Sequence, residues 1–145
     1  MTPAQVLEGA KTWLARRDIT YSMGAENTGK GGSLDCSAFV WHVLGETKRD
    51  RNTDWLLGDA TGKCTKVKRI PAPVPGCIAV YGTWWEKVPG APTKRHAGHT
   101  GIVVDPATKT VIDCSSSQNG IRQHVQSVLF DGTKDGRKPV FCVPV

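Results

Sequence analysis

The sequence predicts an α+β fold in which N-terminal helices, including the one that carries Cys36, pack on an antiparallel sheet of five to six strands. Apolar residues repeat at helical spacing over residues 36–44. Two short apolar runs, residues 100–104 and 110–114, flank the turn sequence Asp-Pro-Ala-Thr-Lys, which is typical of neighbouring antiparallel strands. The chain has 145 residues, enough for one core, and we expect a single domain over residues 1–145.

Both helices have recognisable start signals. Thr2 and Gln5 form a capping-box pattern, and Pro3 occupies the first helical position, where a missing N–H is tolerated. The second helix is predicted to begin after Asp35, a favoured N-cap residue, and to end at Gly45.

The strands are predicted from apolar runs in the C-terminal half of the chain, at residues 77–81, 100–104, 110–114, 121–125 and 140–143. Residues 46–75 are rich in charged residues, Thr, Gly and Pro, so we expect a surface excursion with a short helix at 54–57. Residues 81–95 are expected to form a long loop that frames a site.

Charge and cysteine content narrow the class of protein. The formal net charge of +6 favours a polyanionic partner, but no nucleic-acid recognition motif accompanies it. No run is long enough to span a membrane, and residues 1–17 lack the apolar core of a signal peptide, so we expect a leaderless protein. Five cysteines without a Cys-x-x-Cys pair argue against a zinc ribbon. We expect Cys64, Cys77, Cys114 and Cys142 to be free thiols ahead of one disulfide.

Cys36, His99 and Asp113 are the candidate catalytic residues. Cys36 lies in the first turn of the second helix, where unpaired backbone N–H groups and the helix dipole favour a thiolate. His99 begins one strand of the predicted hairpin and Asp113 lies near the end of the other. In a thiol hydrolase the imidazole takes the thiol proton and an acid supports the imidazole. His96 is a competing base, but only His99 has the strand-forming run directly behind it.

These motifs resemble those of the NlpC-type cell-wall peptidases, papain-like cysteine hydrolases related to the CHAP amidohydrolases. The family pattern is roughly Asp-Cys-Ser-Gly-Phe-Val, then Pro-Gly-Asp before a strand, then Gly-His-Val-Gly-Ile and a polar third residue. The corresponding segments here are, in order, Asp-Cys-Ser-Ala-Phe-Val at 35–40, Pro-Gly-Cys at 75–77, Gly-His-Thr-Gly-Ile at 98–102, and Asp113. The chain departs from the pattern at Ala38 and Cys77, and Asp113 stands where the family more often has His.

The resemblance implies a papain-like NlpC-type fold and a peptidoglycan hydrolase that needs no cofactor or metal. It implies that Cys36 is the nucleophile, His99 the general base and Asp113 the residue that orients the imidazole. The expected cut lies between D-glutamate and the diamino acid of the stem peptide. The related alternative is an N-acetylmuramoyl-L-alanine amidase, which cuts the sugar–peptide amide.

Substrate contacts are expected on both sides of the nucleophile. The resemblance assigns recognition of the stem's free amine to the two residues that flank the Cys, and it places a Tyr of the stem-binding set near the nucleophile. Aromatic residues of the 81–95 segment could stack on sugar or peptide. The candidate substrate-binding residues are Tyr21, Asp35, Ser37, Trp84, Trp85 and His96. His42 and His124 are expected to be structural.

Delivery and assembly follow from the same resemblance. A basic, leaderless wall hydrolase suggests a phage lysin that is released through a holin-type pore, with an interbacterial amidase effector as the alternative. We expect a monomer, and the sequence leaves open whether a wall-binding module exists as a separate protein or after Val145.

A different class of function comes from residues 24–30, which match the phosphate-loop pattern Gly-x-x-x-x-Gly-Lys. In a nucleotide-binding loop a Ser or Thr hydroxyl would follow to hold magnesium, and a helix would start there. Gly31 and Gly32 occupy those positions instead.

Overall fold

The computed structural model describes residues 1–46, 52–60 and 66–145. Its helices are α1 (Pro3–Leu14), α2 (Cys36–Val43), α3 (Thr53–Ala60) and α4 (Val128–Asp131). Its strands are β1 (Thr20–Tyr21), β2 (Glu26–Asn27), β3 (Ser33–Leu34), β4 (Val67–Ile70), β5 (Ile78–Tyr81), β6 (Trp84–Glu86), β7 (Lys94–His96), β8 (His99–Asp105), β9 (Thr110–Ser115), β10 (Gly120–Val125) and β11 (Val140–Pro144). The predicted α+β class is confirmed.

A six-stranded antiparallel sheet with the order β10-β9-β8-β5-β11-β4 forms the centre of the fold. Five of its strands are those that the sequence predicts. The sixth, β4, corrects the expectation that residues 46–75 are only a surface excursion. It is an edge strand that pairs with β11 alone, and the exposed Lys68 and Arg69 in its middle hide the strand pattern.

The sheet is covered on both faces. On one face α1 and α2 enclose the larger apolar cluster, which includes Phe39, Trp41 and Ile112. On the other face α4 contributes Leu129 to a smaller cluster. Because of this double cover, all four residues of β5 are buried and its sequence reads as a continuous apolar run.

The described cysteines are buried free thiols, which agrees with the expectation for Cys77, Cys114 and Cys142. They are Cys36, Cys77, Cys114 and Cys142. Cys64 lies outside the described residues.

The helix starts agree with the sequence. At α1 the Thr2 hydroxyl accepts from the Gln5 N–H at 3.2 Å, and the Gln5 side chain accepts from the Thr2 N–H at 2.8 Å, so the capping box is complete. The short helix expected at 54–57 is longer, because α3 extends over Thr53–Ala60. Within the described ranges, no helix is long and apolar enough to cross a bilayer.

The segment with the phosphate-loop pattern belongs to a small three-stranded sheet of order β1-β3-β2. After Gly31 and Gly32 the chain enters β3, which pairs with both β1 and β2. A phosphate loop instead needs a helix whose N-terminus faces the phosphates. The nucleotide-binding alternative is therefore wrong for this segment.

The segment expected to be a loop at 81–95 contains a two-stranded ribbon whose strands are joined by residues 87–93. β6 pairs with β7, and Trp84 lies opposite His96. Arg137 ties the ribbon to the main sheet, since its guanidinium donates to the carbonyl oxygens of Gly82 at 2.9 Å, His96 at 3.2 Å and Ala97 at 2.8 Å. The sequence hides this ribbon because its strands have only three residues each.

Gly76 and Gly90 provide a matched test of the contact between the start of α1 and the sheet. Both have positive φ, 84° and 78°, so Ala at either position costs about 1 kcal/mol of backbone strain. At Gly76 a Cβ would also overlap the carbonyl of Pro3, whereas at Gly90 it would meet nothing within 4 Å. We expect Gly76→Ala to lower Tm roughly 5 °C more than Gly90→Ala does in thermal unfolding. Equal decreases in Tm would show that the backbone around Pro3 shifts to accommodate the added methyl group without a further loss of stability.

Candidate active site

Asp35 fixes the start of the helix that carries Cys36. Its Oδ1 accepts from the Ala38 N–H at 2.8 Å and from the Ser37 hydroxyl at 3.1 Å. Its Oδ2 accepts from the N–H of Gly24 at 3.1 Å, in the turn before β2. One carboxylate therefore caps α2 and joins it to the small sheet. Cys36 is the first residue of α2, so its backbone N–H has no acceptor within the helix.

His99 lies at the start of β8, within hydrogen-bonding reach of the Cys36 side chain. Burial of the ring disfavours its charged form. The hydrogen bonds that the ring makes to Asp113 and Cys36, and the negative charges of these two groups, outweigh burial and raise the pKa of His99 to about 10. An imidazolium beside a sulfur stabilises negative charge on that sulfur. His96 is instead paired with Glu86 at 3.1 Å.

Asp113 is fully buried and accepts from two imidazoles. The Nε2–H of His99 donates to Oδ2 at 2.7 Å, and the Nε2–H of His124 donates to Oδ1 at 2.6 Å. The Gln126 amide adds a longer contact to Oδ2 at 3.4 Å. Burial opposes the charge of the carboxyl, but the hydrogen bonds and charges of His124 and His99 lower the pKa of Asp113. Because Nε2 of His99 is occupied by Asp113, Nδ1 is the ring nitrogen left for the thiol.

The strand register explains this arrangement. β8 and β10 flank β9, and Asp113 pairs with Arg122 on β10, two residues before His124. On β8, the residue beside Asp113 is Gly101, two residues after His99; a Cβ there would lie only 3.1 Å from the Asp113 Cβ. Each histidine therefore lies diagonally across from Asp113 on a neighbouring strand. Because Gly101 has no side chain, the His99 ring can reach the carboxylate from β8.

A cleft with two adjoining lobes opens beside these residues. Tyr21, Met23, Ala97 and Gly98 line both lobes. The first lobe is additionally lined by Asp35, Cys36, Ser37, Asn52, Thr53 and Arg95. The second lobe is additionally lined by Tyr81, His99, Gln126, Val128 and the serines 115–117. Cys36 and His99 thus reach the same opening from different elements.

Tyr21 stands at the boundary of the two lobes. Burial, and then the negative charges of Cys36 and Asp35, raise the pKa of Tyr21, so that its hydroxyl remains a proton donor at neutral pH. Of the six candidate substrate-binding residues, Tyr21, Asp35 and Ser37 line the cleft.

The other three candidate substrate-binding residues, Trp84, Trp85 and His96, lie on the ribbon and are not among the described residues that line the cleft. The Trp84 ring stacks on the His96 ring with centroids 5.0 Å apart. Trp85 is 54% exposed. The ribbon therefore presents an indole to solvent next to the cleft, where Arg95 of the same ribbon forms part of the wall.

Three residues in or beside the cleft were not singled out from the sequence. His124, expected to be structural, and Gln126 both contact Asp113, and Arg95 lines the first lobe. The sequence shows the alternation of side chains along β10, but it does not show the strand register that brings His124 to Asp113. Arg95 lies in a basic run, which usually marks a solvated surface.

The arrangement contains the parts of an acyl-transfer site: a thiol, an imidazole beside it, and a buried carboxylate that holds the imidazole. Among the described residues, no group of three His, Cys, Asp or Glu side chains could hold a metal ion.

Comparison with known families gives the substrate class. Residues 7–142 match the model of a family described as bacteriophage peptidoglycan hydrolase. The chain belongs to this family. Membership of the phage peptidoglycan hydrolases makes the cell wall its site of action and agrees with the lysin expected from the sequence. No curated protein and no solved structure gives a match to the chain.

His124 provides a test of the shared carboxylate. His124→Leu leaves Oδ1 of the buried Asp113 without a donor, whereas His124→Gln keeps an N–H donor. Since a hydrogen bond to a charged group contributes about 1.5–3 kcal/mol, we expect the Leu variant of this phage hydrolase to lose about tenfold or more in wall lysis and in the alkylation rate of Cys36. The Gln variant should retain most of both rates.

The matched control is Gln123→Leu, which changes an exposed neighbour on the same strand. Circular dichroism identifies any variant that fails to fold. If folded His124→Leu protein is as active as the Gln123→Leu control, His124 has no influence on the Asp113–His99 pair.

Proposed function

We propose that this phage hydrolase is a papain-like, NlpC-type cysteine endopeptidase that cuts the stem peptide between D-glutamate and the diamino acid. The observation that carries the proposal is the placement of the Cys36 thiol beside the His99 ring, whose Nε2–H donates to the buried Asp113. The order of the motifs along the chain supports the NlpC assignment. The helix that packs on an antiparallel sheet with Cys36 at its N-terminus supports the papain-like fold.

In the acylation step the Cys36 sulfur attacks the carbonyl carbon of the scissile amide, and the thiol proton resides on Nδ1 of His99. The unpaired N–H of Cys36 at the start of α2 donates to the developing oxyanion. When the carbon–nitrogen bond breaks, His99 gives its proton to the leaving amine. The acyl group remains on Cys36 as a thioester.

In the deacylation step His99 takes a proton from water, and the hydroxide attacks the thioester carbon. The carbon–sulfur bond breaks, the product leaves as a carboxylic acid, and the thiol–imidazole pair is restored. Asp113 stays ionised throughout and holds Nε2 of the ring, so that Nδ1 faces the sulfur in both steps. No step requires a cofactor or metal.

Delivery belongs to the same proposal. Because the matching family comes from bacteriophages, we favour release through a phage-encoded pore over delivery by a secretion machine. The net charge of +6 favours retention at an anionic bacterial envelope.

The nucleophile can be tested by competition among the cysteines. Burial raises the pKa of Cys77 to about 11 and that of Cys114 to about 12, so both thiols stay protonated at neutral pH. We expect iodoacetamide at pH 7 to label Cys36 before these two and His99→Ala to slow that labelling, as read by peptide mapping. Cys36→Ala should keep the fold and abolish wall lysis, and wild-type lysis should persist in EDTA. Slower labelling of Cys36 than of Cys77 would contradict the assignment.

The bond is identified by digesting muropeptides of known composition and measuring fragment masses. Endopeptidase activity releases an L-alanyl-D-glutamate fragment together with a new free amine on the diamino acid. Release of intact stem peptides from muramic acid would establish the amidase alternative instead. Cys36→Ala protein, which lacks the attacking atom, is the control for contaminating wall enzymes.

A further inference from the structure

Arg95 is the only cation among the described residues that line the first lobe of the cleft, which it shares with Cys36. Its side chain is exposed, and it makes no hydrogen bond or ion pair with any described residue. All five guanidinium N–H donors are therefore available to a ligand.

The acid in the same lobe is largely committed to the protein. Asp35 accepts three hydrogen bonds, from the N–H groups of Ala38 and Gly24 and from the Ser37 hydroxyl. A carboxylate offers about four acceptor positions, so only about one remains. Asp35 therefore has little acceptor capacity left for a ligand, whereas Arg95 in the same lobe keeps its donors.

The backbone of Arg95 is held in place although its side chain is free. Arg95 pairs with Trp85 across the ribbon, and the next two carbonyls along the chain, those of His96 and Ala97, accept from Arg137. The positive charge of Arg95 reaches the Tyr21 hydroxyl, where it offsets part of the rise in the pKa of that group. Arg95 therefore faces the boundary between the two lobes across from the start of α2.

We propose that Arg95 binds the free α-carboxylate of the γ-linked glutamyl residue on the acyl side of the scissile bond. The choice of this residue rests on the proposed endopeptidase function. A glutamyl residue that is linked through its side chain leaves its α-carboxylate free, a few bonds from the carbonyl that Cys36 attacks. The planar guanidinium fork matches a carboxylate with two parallel hydrogen bonds. A carboxamide at that position has no charge, and its N–H group would face the N–H donors of Arg95.

Arg95 therefore acts as a specificity residue that selects unamidated stems. The test measures binding to Cys36→Ala protein, which cannot turn over the peptide. The ligands are L-alanyl-γ-D-glutamyl-diaminopimelate and the analogue with a carboxamide in place of the glutamyl α-carboxylate. We expect the carboxamide to bind about tenfold more weakly, and this ratio to fall to about one in the Cys36→Ala, Arg95→Gln protein. Lys94→Gln in the same background is the matched control, because it removes the neighbouring charge of the ribbon and should leave the ratio unchanged.

A third ligand tests the assignment of the carboxylate. In L-alanyl-γ-D-glutamyl-L-lysine the glutamyl carboxylate is present but the second carboxylate of the diamino acid is missing. If Arg95→Gln changes the preference between the diaminopimelate and lysine peptides rather than that between carboxylate and carboxamide, the assignment is overturned. Equal affinity of the Arg95-containing protein for carboxylate and carboxamide, including no measurable binding of either, also overturns it.

The binding test examines the carboxylate site and the muropeptide digestion examines the bond that is cut, so either proposal can be refuted while the other stands. An Arg95-dependent binding ratio together with release of intact stems would preserve the carboxylate site and refute the proposed bond. Cleavage after glutamate with no Arg95-dependent ratio would preserve the bond and refute the carboxylate site.

Discussion

The buried carboxylate of Asp113 is the constraint on which the rest of the site depends. An ionised carboxylate without contact to water is costly unless its oxygens are hydrogen-bonded to donors. Here each oxygen has its own imidazole, His99 at 2.7 Å and His124 at 2.6 Å. Meeting this requirement fixes the register of β8 and β10 against β9, since a slip of one residue would turn a histidine to the other face. The demand for partners at one buried acid thus aligns three strands and orients the ring that faces Cys36.

A second carboxylate, that of Asp35, organises the other half of the site. It caps α2, and it also holds the Gly24 turn of the small sheet that carries Tyr21. The start of the helix and the wall of the cleft are consequently joined through one side chain. This gives a physical reason to regard Asp35 first as a structural organiser, with limited capacity left for a substrate amine. Arg95, by contrast, lines the same lobe with its guanidinium donors free for a ligand.

The sequence predicted the parts of the fold whose signals are local. The capping residues of α1 and α2 and the apolar runs of five strands each depend on a few consecutive residues, and all are present. The strands that the sequence did not predict are β1, β2 and β3, which have two residues each, and also β4, β6 and β7. The latter three are short and rich in charged or aromatic side chains, and their pairing depends on partners elsewhere in the chain. Cys36, His99 and Asp113 could be singled out because they stand at the ends of predictable elements. His124 could not, since its contact with Asp113 depends on the β9–β10 register, which no short motif records.

The positive charge of this phage hydrolase acts at two different ranges. The net charge of +6 attracts an anionic envelope as a whole, but such attraction is screened within about 8–10 Å at ordinary ionic strength and does not distinguish one wall peptide from another. Recognition of a stem peptide requires a charge that is fixed within contact distance of the reacting carbonyl. The ribbon supplies such a position, because Arg137 anchors its backbone through the carbonyls that follow Arg95. The basic surface can therefore vary with little effect on which bond is cut, whereas the ribbon cannot move without changing the cleft in which Cys36 lies.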